Sequence, residues 1–145
     1  MTNPTAPLED AAFMSAFLDT LIPPSEDEKL PGAGTLGLGS AVATAIASNS
    51  RVSANVTPAL EAIQAAAPDF PTLDLAARVE AVRSAEAAHP ALIPSVTTPL
   101  YFTYYQHPVV LMGLGLPARP PFPGGYETDA TDPELLDLLR AKAKP

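Results

Sequence analysis

Proline placement constrains this chain more than any other feature of its sequence. The 145 residues include 18 prolines, many of them clustered. A proline inside a helix removes one backbone hydrogen bond and clashes with the preceding turn, so proline clusters mark the ends of regular elements. The clusters stand at Pro23-Pro24, at Pro31, and within 68–71, 90–94 and 117–123. The segments between them are about 12–18 residues long and rich in Ala and Leu, which predicts helices rather than strands.

These segments predict an all-α protein. We expect one irregular helical bundle of about five to seven helices over residues 1–145, with a flexible N-terminus at 1–7, a Pro/Gly-rich docking loop at 115–131 and a C-terminal helix at 132–143. The other predicted helices cover 8–22, 36–48, 57–67, 72–88, 94–105 and one or two turns within 107–114. Pro99 should kink or restart the fifth helix. A strand over 99–105 is the alternative, but a single strand would have no neighbour with which to pair.

Apolar spacing predicts which faces of these helices point inward. In the first helix the apolar residues recur at i, i+1, i+4 and i+5, which places them on one face: Phe13, Met14, Phe17, Leu18, Leu21 and Ile22. In the fourth helix we expect an inner face formed by Leu75, Val79 and Val82.

Capping residues predict where the helices begin. Thr57-Pro58 suits the start of the third helix, since Thr can cap and proline fits the first helical position, and Thr72 suits the start of the fourth. The last helix has two candidate caps. Thr131 stands at capping-box spacing from Glu134, and Asp132 precedes a first-turn proline.

Charge and composition exclude several classes of protein. The formal net charge is -8 and the basic residues are scattered except near the C-terminus, so binding to nucleic acid is not expected. The chain has no cysteine, which excludes disulfides, thiolate nucleophiles and cysteine-ligated metals. No apolar run reaches roughly 18 residues, so direct membrane insertion is not expected. Because no export signal is visible before Pro7, the sequence as written predicts a cytoplasmic protein.

No set of residues predicts a catalytic, cofactor-binding or metal site. The run Gly32-Ala33-Gly34-Thr35-Leu36-Gly37 matches G-x-G-x-x-G by letters, but no strand precedes it, as dinucleotide binding requires. His89 and His107 each precede a proline, and no triad, carboxylate or metal-ligand spacing surrounds them. The acidic run 26–28 lacks the alternating spacing of a calcium loop, so we expect a solvated loop there.

One segment is a candidate for recognition of a partner, and an aromatic series precedes it. The segment 116–126 is stiff, apolar and aromatic, and too long for a simple connection. Proline lowers the entropy cost of ordering a loop that must dock. An equal alternative is that this loop packs over the protein's own core. The series Tyr101, Phe102, Tyr104 and Tyr105 has helical spacing, which predicts core and surface residues rather than a cofactor site.

Runs near both ends of the chain resemble one protein family, the gluconate 2-dehydrogenase subunit 3 family. In that family a helix ends in an Ile-Pro turn and a Pro-Gly-Ala step leads into the second helix; the similar residues here are Phe17-Leu18-Asp19-Thr20-Leu21-Ile22-Pro23-Pro24 and Leu30-Pro31-Gly32-Ala33. The family's C-terminal signature is similar to Tyr104-Tyr105-Gln106-His107-Pro108, Gly113-Leu114-Gly115-Leu116-Pro117 and Pro120-Pro121-Phe122-Pro123-Gly124-Gly125-Tyr126-Glu127.

The resemblance implies a role rather than a reaction. Such small subunits bind a large FAD-dependent dehydrogenase of the glucose–methanol–choline (GMC) superfamily, which acts on sugars or alcohols, and they support its folding, stability or export. FAD belongs to that partner, and many complexes add a cytochrome c subunit. Family members often carry a twin-arginine export signal, which this sequence lacks. The periplasm is therefore the alternative location, reached if such a signal was removed or if the partner is exported.

As an accessory subunit, the chain should contact its partner through the loop after the first helix, through Tyr105 and through the late proline-rich loop. The expected contact residues are Pro23, Pro24, Pro31, Gly32, Tyr105, Pro120, Pro121, Phe122, Pro123, Gly124 and Tyr126. Two other hypotheses stay open at this point. One is a stand-alone helical protein that binds a small ligand in a pocket lined by the tyrosines. The other is an enzyme, such as an isomerase using His107 and Glu127.

Overall fold

The computed structural model describes residues 6–118 and 132–142. Within those ranges the regular elements are α-helices and one 3-10 turn, so the all-α prediction is confirmed. The helices are α1 (Ala11–Leu21), α2 (Gly39–Ala47), α3 (Ser50–Ala66), α4 (Leu75–Ala88), α5 (Leu92–Tyr104), α6 (Pro108–Gly113) and α7 (Pro133–Lys142), with the 3-10 turn at Phe70–Thr72.

A single hydrophobic core joins α1 to α6. The predicted inner face of α1 is correct in its centre, since Phe13, Met14, Phe17 and Leu18 are all buried, while Leu21 and Ile22 are half-buried at its margin. The Phe13 ring lies 5.2 Å from the ring of Phe70 in the 3-10 turn. Helix α3 packs against α4 and α5, while α2 packs against α1, α3 and α5. Aromatic and aliphatic burial of this kind is the main driving force for folding.

Helix α3 begins at Ser50, seven residues before the predicted start at Thr57-Pro58. The side chain of Asn49 caps it by accepting hydrogen bonds from the backbone N–H groups of Arg51 (3.1 Å) and Val52 (3.2 Å). Pro58 lies inside the helix. Because proline has no backbone N–H, the carbonyl of Ala54 lacks its usual helical hydrogen bond. Both Pro58 and Ala54 are exposed, so water can bond to that carbonyl instead.

Helix α4 also differs from its prediction. Thr72 ends the 3-10 turn, and Asp74 caps α4 through the backbone N–H of Ala77 at 2.8 Å. Of the expected inner face, Val82 is buried and Val79 half-buried, but Leu75 is 42% exposed. The side of α4 that enters the core instead carries small residues, with Ala85 buried beside Val82.

Helix α5 runs without interruption through both of its prolines, so helix rather than strand is correct for 99–104. It begins at Leu92, two residues before the predicted start, because Pro94 falls in the first turn, where backbone N–H groups have no intrahelical partner in any case. Helix α6 forms the short helix expected within 107–114 and places Val110 in the core.

The last helix follows the second of its two candidate caps. The Asp132 side chain accepts a hydrogen bond from the Glu134 backbone N–H at 2.9 Å. Thr131, the other candidate, lies outside the described residues, as does most of the predicted docking loop 115–131 and most of the predicted flexible N-terminus 1–7.

Candidate partner-binding surface

Asp19 holds the segment that follows α1 in a fixed conformation. Its Oδ1 accepts hydrogen bonds from the backbone N–H groups of Gly34 (2.8 Å) and Thr35 (3.0 Å), and its Oδ2 accepts one from the Thr35 hydroxyl (3.0 Å). The backbone N–H groups that a dinucleotide phosphate would need are therefore already bonded to a carboxylate, and α1, not a strand, precedes them. The G-x-G-x-x-G match has a packing role.

The glycines of this segment allow it to lie directly on α1. A Cβ at Gly34 would overlap the Ser15 carbonyl, and a Cβ at Gly32 would overlap the Asp19 carboxylate. Gly32 is buried by this approach. Gly32 therefore supports the loop from inside, and the exposed surface of the loop is formed by its neighbours.

The loop 23–31 closes on itself through Ser25. The Ser25 backbone N–H donates to the Leu30 carbonyl (2.8 Å), and the Ser25 hydroxyl oxygen accepts from the Leu30 N–H (3.0 Å). At the exposed tip, the Ser25 hydroxyl and then Lys29 stabilise the Asp27 carboxylate, which lowers the pKa of Asp27. Pro23 and Pro24 are exposed on this loop, and Pro31 is half-buried. The acidic run 26–28 thus lies in a solvated loop, as its sequence indicates.

Tyr104 connects this loop to α5. Its side chain is 1% exposed, and its hydroxyl donates a hydrogen bond to the Pro31 carbonyl at 2.9 Å, across 73 positions of sequence. Burial, with a smaller contribution from Tyr105, raises the pKa of Tyr104, because the neutral phenol is favoured where solvent is excluded. The Tyr105 ring stands edge-on to it at 5.1 Å and is 46% exposed. One tyrosine therefore anchors the loop while its neighbour faces solvent.

The end of α6 lies against the same loop. A Cβ at Gly113 would overlap the Lys29 carbonyl and the Leu30 side chain, so only glycine allows this approach. The start of α6 is capped by His107, whose Nδ1 accepts a hydrogen bond from the Val109 N–H at 3.3 Å. His107 therefore has a structural function in this arrangement. Glu127, the carboxylate paired with it in the enzyme hypothesis, lies outside the described residues.

Large apolar side chains are exposed along the stretch that contacts this loop. They are 41–66% exposed and comprise Tyr101, Phe102, Tyr105, Val109, Met112, Leu114 and Leu116, which we call the α5–α6 surface. The rings of Tyr101 and Tyr105 are 5.5 Å apart, and Val109 and Met112 share one side of α6 by their i, i+3 spacing. Phe102 also lines an open groove of about 530 Å³ with Leu38, Thr103, Gln106, His107 and Pro108. Exposed apolar groups at this density mark interaction sites.

The expected contact residues fall into four groups. Pro23, Pro24 and Tyr105 are exposed, Pro31 is half-buried and Gly32 is buried. The loop that carries the three prolines contacts α5 and α6 through Pro31–Tyr104 and Lys29–Gly113. The fourth group lies outside the described residues: Pro120, Pro121, Phe122, Pro123, Gly124 and Tyr126. Sequence reasoning did not select Phe102, Val109 or Met112 as contact residues; the available signal for the last two was their i, i+3 spacing.

Within residues 6–118 and 132–142, no group of three or more His, Asp or Glu side chains is placed to hold a metal ion. No helix in those ranges combines the length and apolar character needed to cross a membrane. Comparison of the chain with protein-family models, with curated proteins and with solved structures found no match.

Proposed function

We propose that this chain is a non-catalytic subunit that binds and stabilises an FAD-dependent dehydrogenase of the GMC type. The observation that supports the proposal is the meeting of two distant sequence runs. The loop 23–33 and the stretch 104–113, each part of the sequence resemblance, contact one another through Tyr104–Pro31 and Gly113–Lys29. Together they border the exposed α5–α6 surface.

The chemistry of that surface suits a protein partner. Aromatic residues and methionine are enriched at the centres of protein interfaces, and charged residues are depleted there. Tyr101, Phe102, Tyr105 and Met112 fit this composition, and exposed Pro23 and Pro24 add a border with little conformational entropy to lose on binding. The FAD and the hydride chemistry would belong to the partner, and a cytochrome c subunit could join the same complex.

The competing hypothesis of a small-ligand protein requires the tyrosines to line a pocket. Tyr104 instead fills the core, and Tyr101 and Tyr105 contact each other edge-on at the surface. The neighbouring groove at Phe102 is open to solvent rather than enclosed. A buried drug-sized ligand generally needs a site that covers most of its surface.

The test is co-expression with a GMC-type dehydrogenase of the same organism, followed by size exclusion with absorbance read in the flavin band. We expect one peak that contains both chains and flavin. Phe102→Glu together with Met112→Glu should remove this chain from that peak, because each places a charge in the apolar contact.

The matched control is Leu75→Glu, which introduces the same charge at an exposed leucine on α4, a helix that packs on α3 and α1. This variant should retain the complex. Separate peaks for the two unmodified chains would contradict the proposal. So would an equal loss of complex in the double variant and in the Leu75 control.

A further inference from the structure

Helix α7 carries an apolar face that is exposed in the described structure. Leu135, Leu138 and Leu139 are 51%, 62% and 55% exposed, and none of the residues of α7 is buried. Their i, i+3, i+4 spacing places them on one side of the helix, and Lys142 continues that side one turn later. A helix of 10 residues is only marginally stable by itself in water, so an amphipathic one normally acquires stability from packing.

The same chain has an open apolar groove without an occupant. It lies between α3 and α4, has a volume of about 560 Å³, and has Ala62, Ala66, Ala77 and Ala81 among its lining residues. Three of the groove residues, Ala66, Ala77 and Ala88, are exposed although an outer helix face would ordinarily be polar. Small side chains leave a depression into which the larger side chains of another helix can insert. One acidic side chain, Glu80, also lines the groove.

We propose that α7 of one copy of this chain docks in the α3–α4 groove of a second copy. The leucine ridge matches the alanine-lined depression in shape, and Lys142 on the ridge is opposite in charge to Glu80 in the groove. Both features stay exposed within one chain, which is why the occupant is assigned to a second copy. A two-fold arrangement would form the contact twice, as closed dimers do. The α5–α6 surface uses other helices and stays accessible to a dehydrogenase.

Sedimentation equilibrium of the full chain by itself, over a wide concentration range, tests the proposal. We expect a monomer–dimer equilibrium. Leu138→Glu should raise the dimer dissociation constant by about tenfold or more, because it places a charge at the centre of the contact. Far-UV circular dichroism should show an unchanged fold, since Leu138 makes no buried contact in the single chain.

A charge exchange makes the test specific to this pair of elements. Lys142→Glu should weaken the dimer, and adding Glu80→Lys should restore it. Arg140→Glu makes the same charge change on the opposite side of α7, next to Asp137 at 3.6 Å, and should have a smaller effect than Lys142→Glu. A monomer at all concentrations would overturn the proposal. A monomer that is compact at every concentration and expands on Leu138→Glu would also overturn it, because α7 would then occupy the groove of its own chain.

Discussion

At the scale of single residues, Tyr104 does the most to bring the two distant sequence runs together. Its ring packs in the core, and its hydroxyl donates a hydrogen bond to the carbonyl of Pro31. Pro31, as a proline, has no backbone N–H of its own. Asp19 and the two glycines near it hold the other side of the same loop on α1. The loop that carries Pro23 and Pro24 is therefore fixed before any partner arrives, which lowers the entropy cost of binding.

We predict that Tyr104→Phe lowers the free energy of unfolding by about 1 kcal/mol, the usual net value of a hydrogen bond whose acceptor stays partly buried. This difference in the free energy of unfolding should vanish at alkaline pH. The pKa of Tyr104 is raised in the folded state, so the native state retains a proton that the unfolded state releases. The stability from this hydrogen bond is therefore complete below the ordinary pKa of 10.0. It declines as the pH rises through the folded-state pKa.

Urea unfolding between about pH 8 and 11 measures this, since tyrosine ordinarily titrates near 10. All other residues are the same in the two proteins, so only the Tyr104 hydroxyl distinguishes the two pH profiles. The wild-type curve should fall more steeply with pH than that of Tyr104→Phe. Parallel curves would show that the Tyr104 hydroxyl is not protected by the fold.

At the scale of elements, the sequence predicted most helices but misplaced several of their starts. Helices α1, α2 and α4 begin three residues later than predicted, α5 begins two residues earlier and α3 seven residues earlier. Fold class, the inner face of α1 and the position of α6 follow from apolar spacing and proline placement, both of which are local properties. The starts of α3 and α4 depend on which of two nearby caps prevails. A proline on an exposed helix face can be tolerated, as at Pro58, and only the packed structure shows which face is exposed. Leu75 was misassigned for a related reason, because periodicity weighs large side chains and overlooks alanines that face a close neighbour helix.

The candidate site was less predictable than the fold. Pro23, Pro24 and Tyr105 could be selected from sequence, but the contacts between the loop 23–31 and helices α5 and α6 join residues far apart in the chain. Gly32 illustrates the difficulty, since a residue that resembles part of a signature can act from inside the fold. No local pattern distinguishes a buried glycine that supports a surface from an exposed one that forms it.

We predict that Asn49→Ala shortens α3 from its N-terminus. The Asn49 side chain satisfies two backbone donors at the helix start, and loss of such a cap costs about 1 kcal/mol. Without it, the first turns of α3, up to Pro58, should fray, and the helix would begin near the position that Thr57-Pro58 suggests. Hydrogen exchange of the backbone amides in 51–57 should accelerate, while exchange in 59–66 stays slow. Asn49→Asp retains the acceptor and serves as the control; equal acceleration in both variants would refute the capping role.

At the scale of the whole molecule, the described structure divides into a packed body and a helix that shares none of its core. Helices α1 to α6, with Ala33, Leu38 and Phe70 from the segments between them, contribute every residue of the buried cluster, and α7 contributes none. Among the described residues, exposed large apolar side chains are grouped on the α5–α6 surface and on α7, with Leu75 exposed separately on α4. A chain with these features is suited to assembly, with one surface for the proposed dehydrogenase and another for a second copy.

This division predicts the outcome of removing α7. Deletion of 132–145 should change the free energy of unfolding of the body by less than about 0.5 kcal/mol, because the deleted side chains leave no cavity in the core. The measurement must use dilute protein, since dimer formation would itself add stability that depends on concentration. At high concentration the full chain should unfold at a higher temperature than the truncated one, and the difference should shrink on dilution. A loss of stability that persists on dilution would mean that α7 packs on its own body, and the division into body and exposed helix would be wrong.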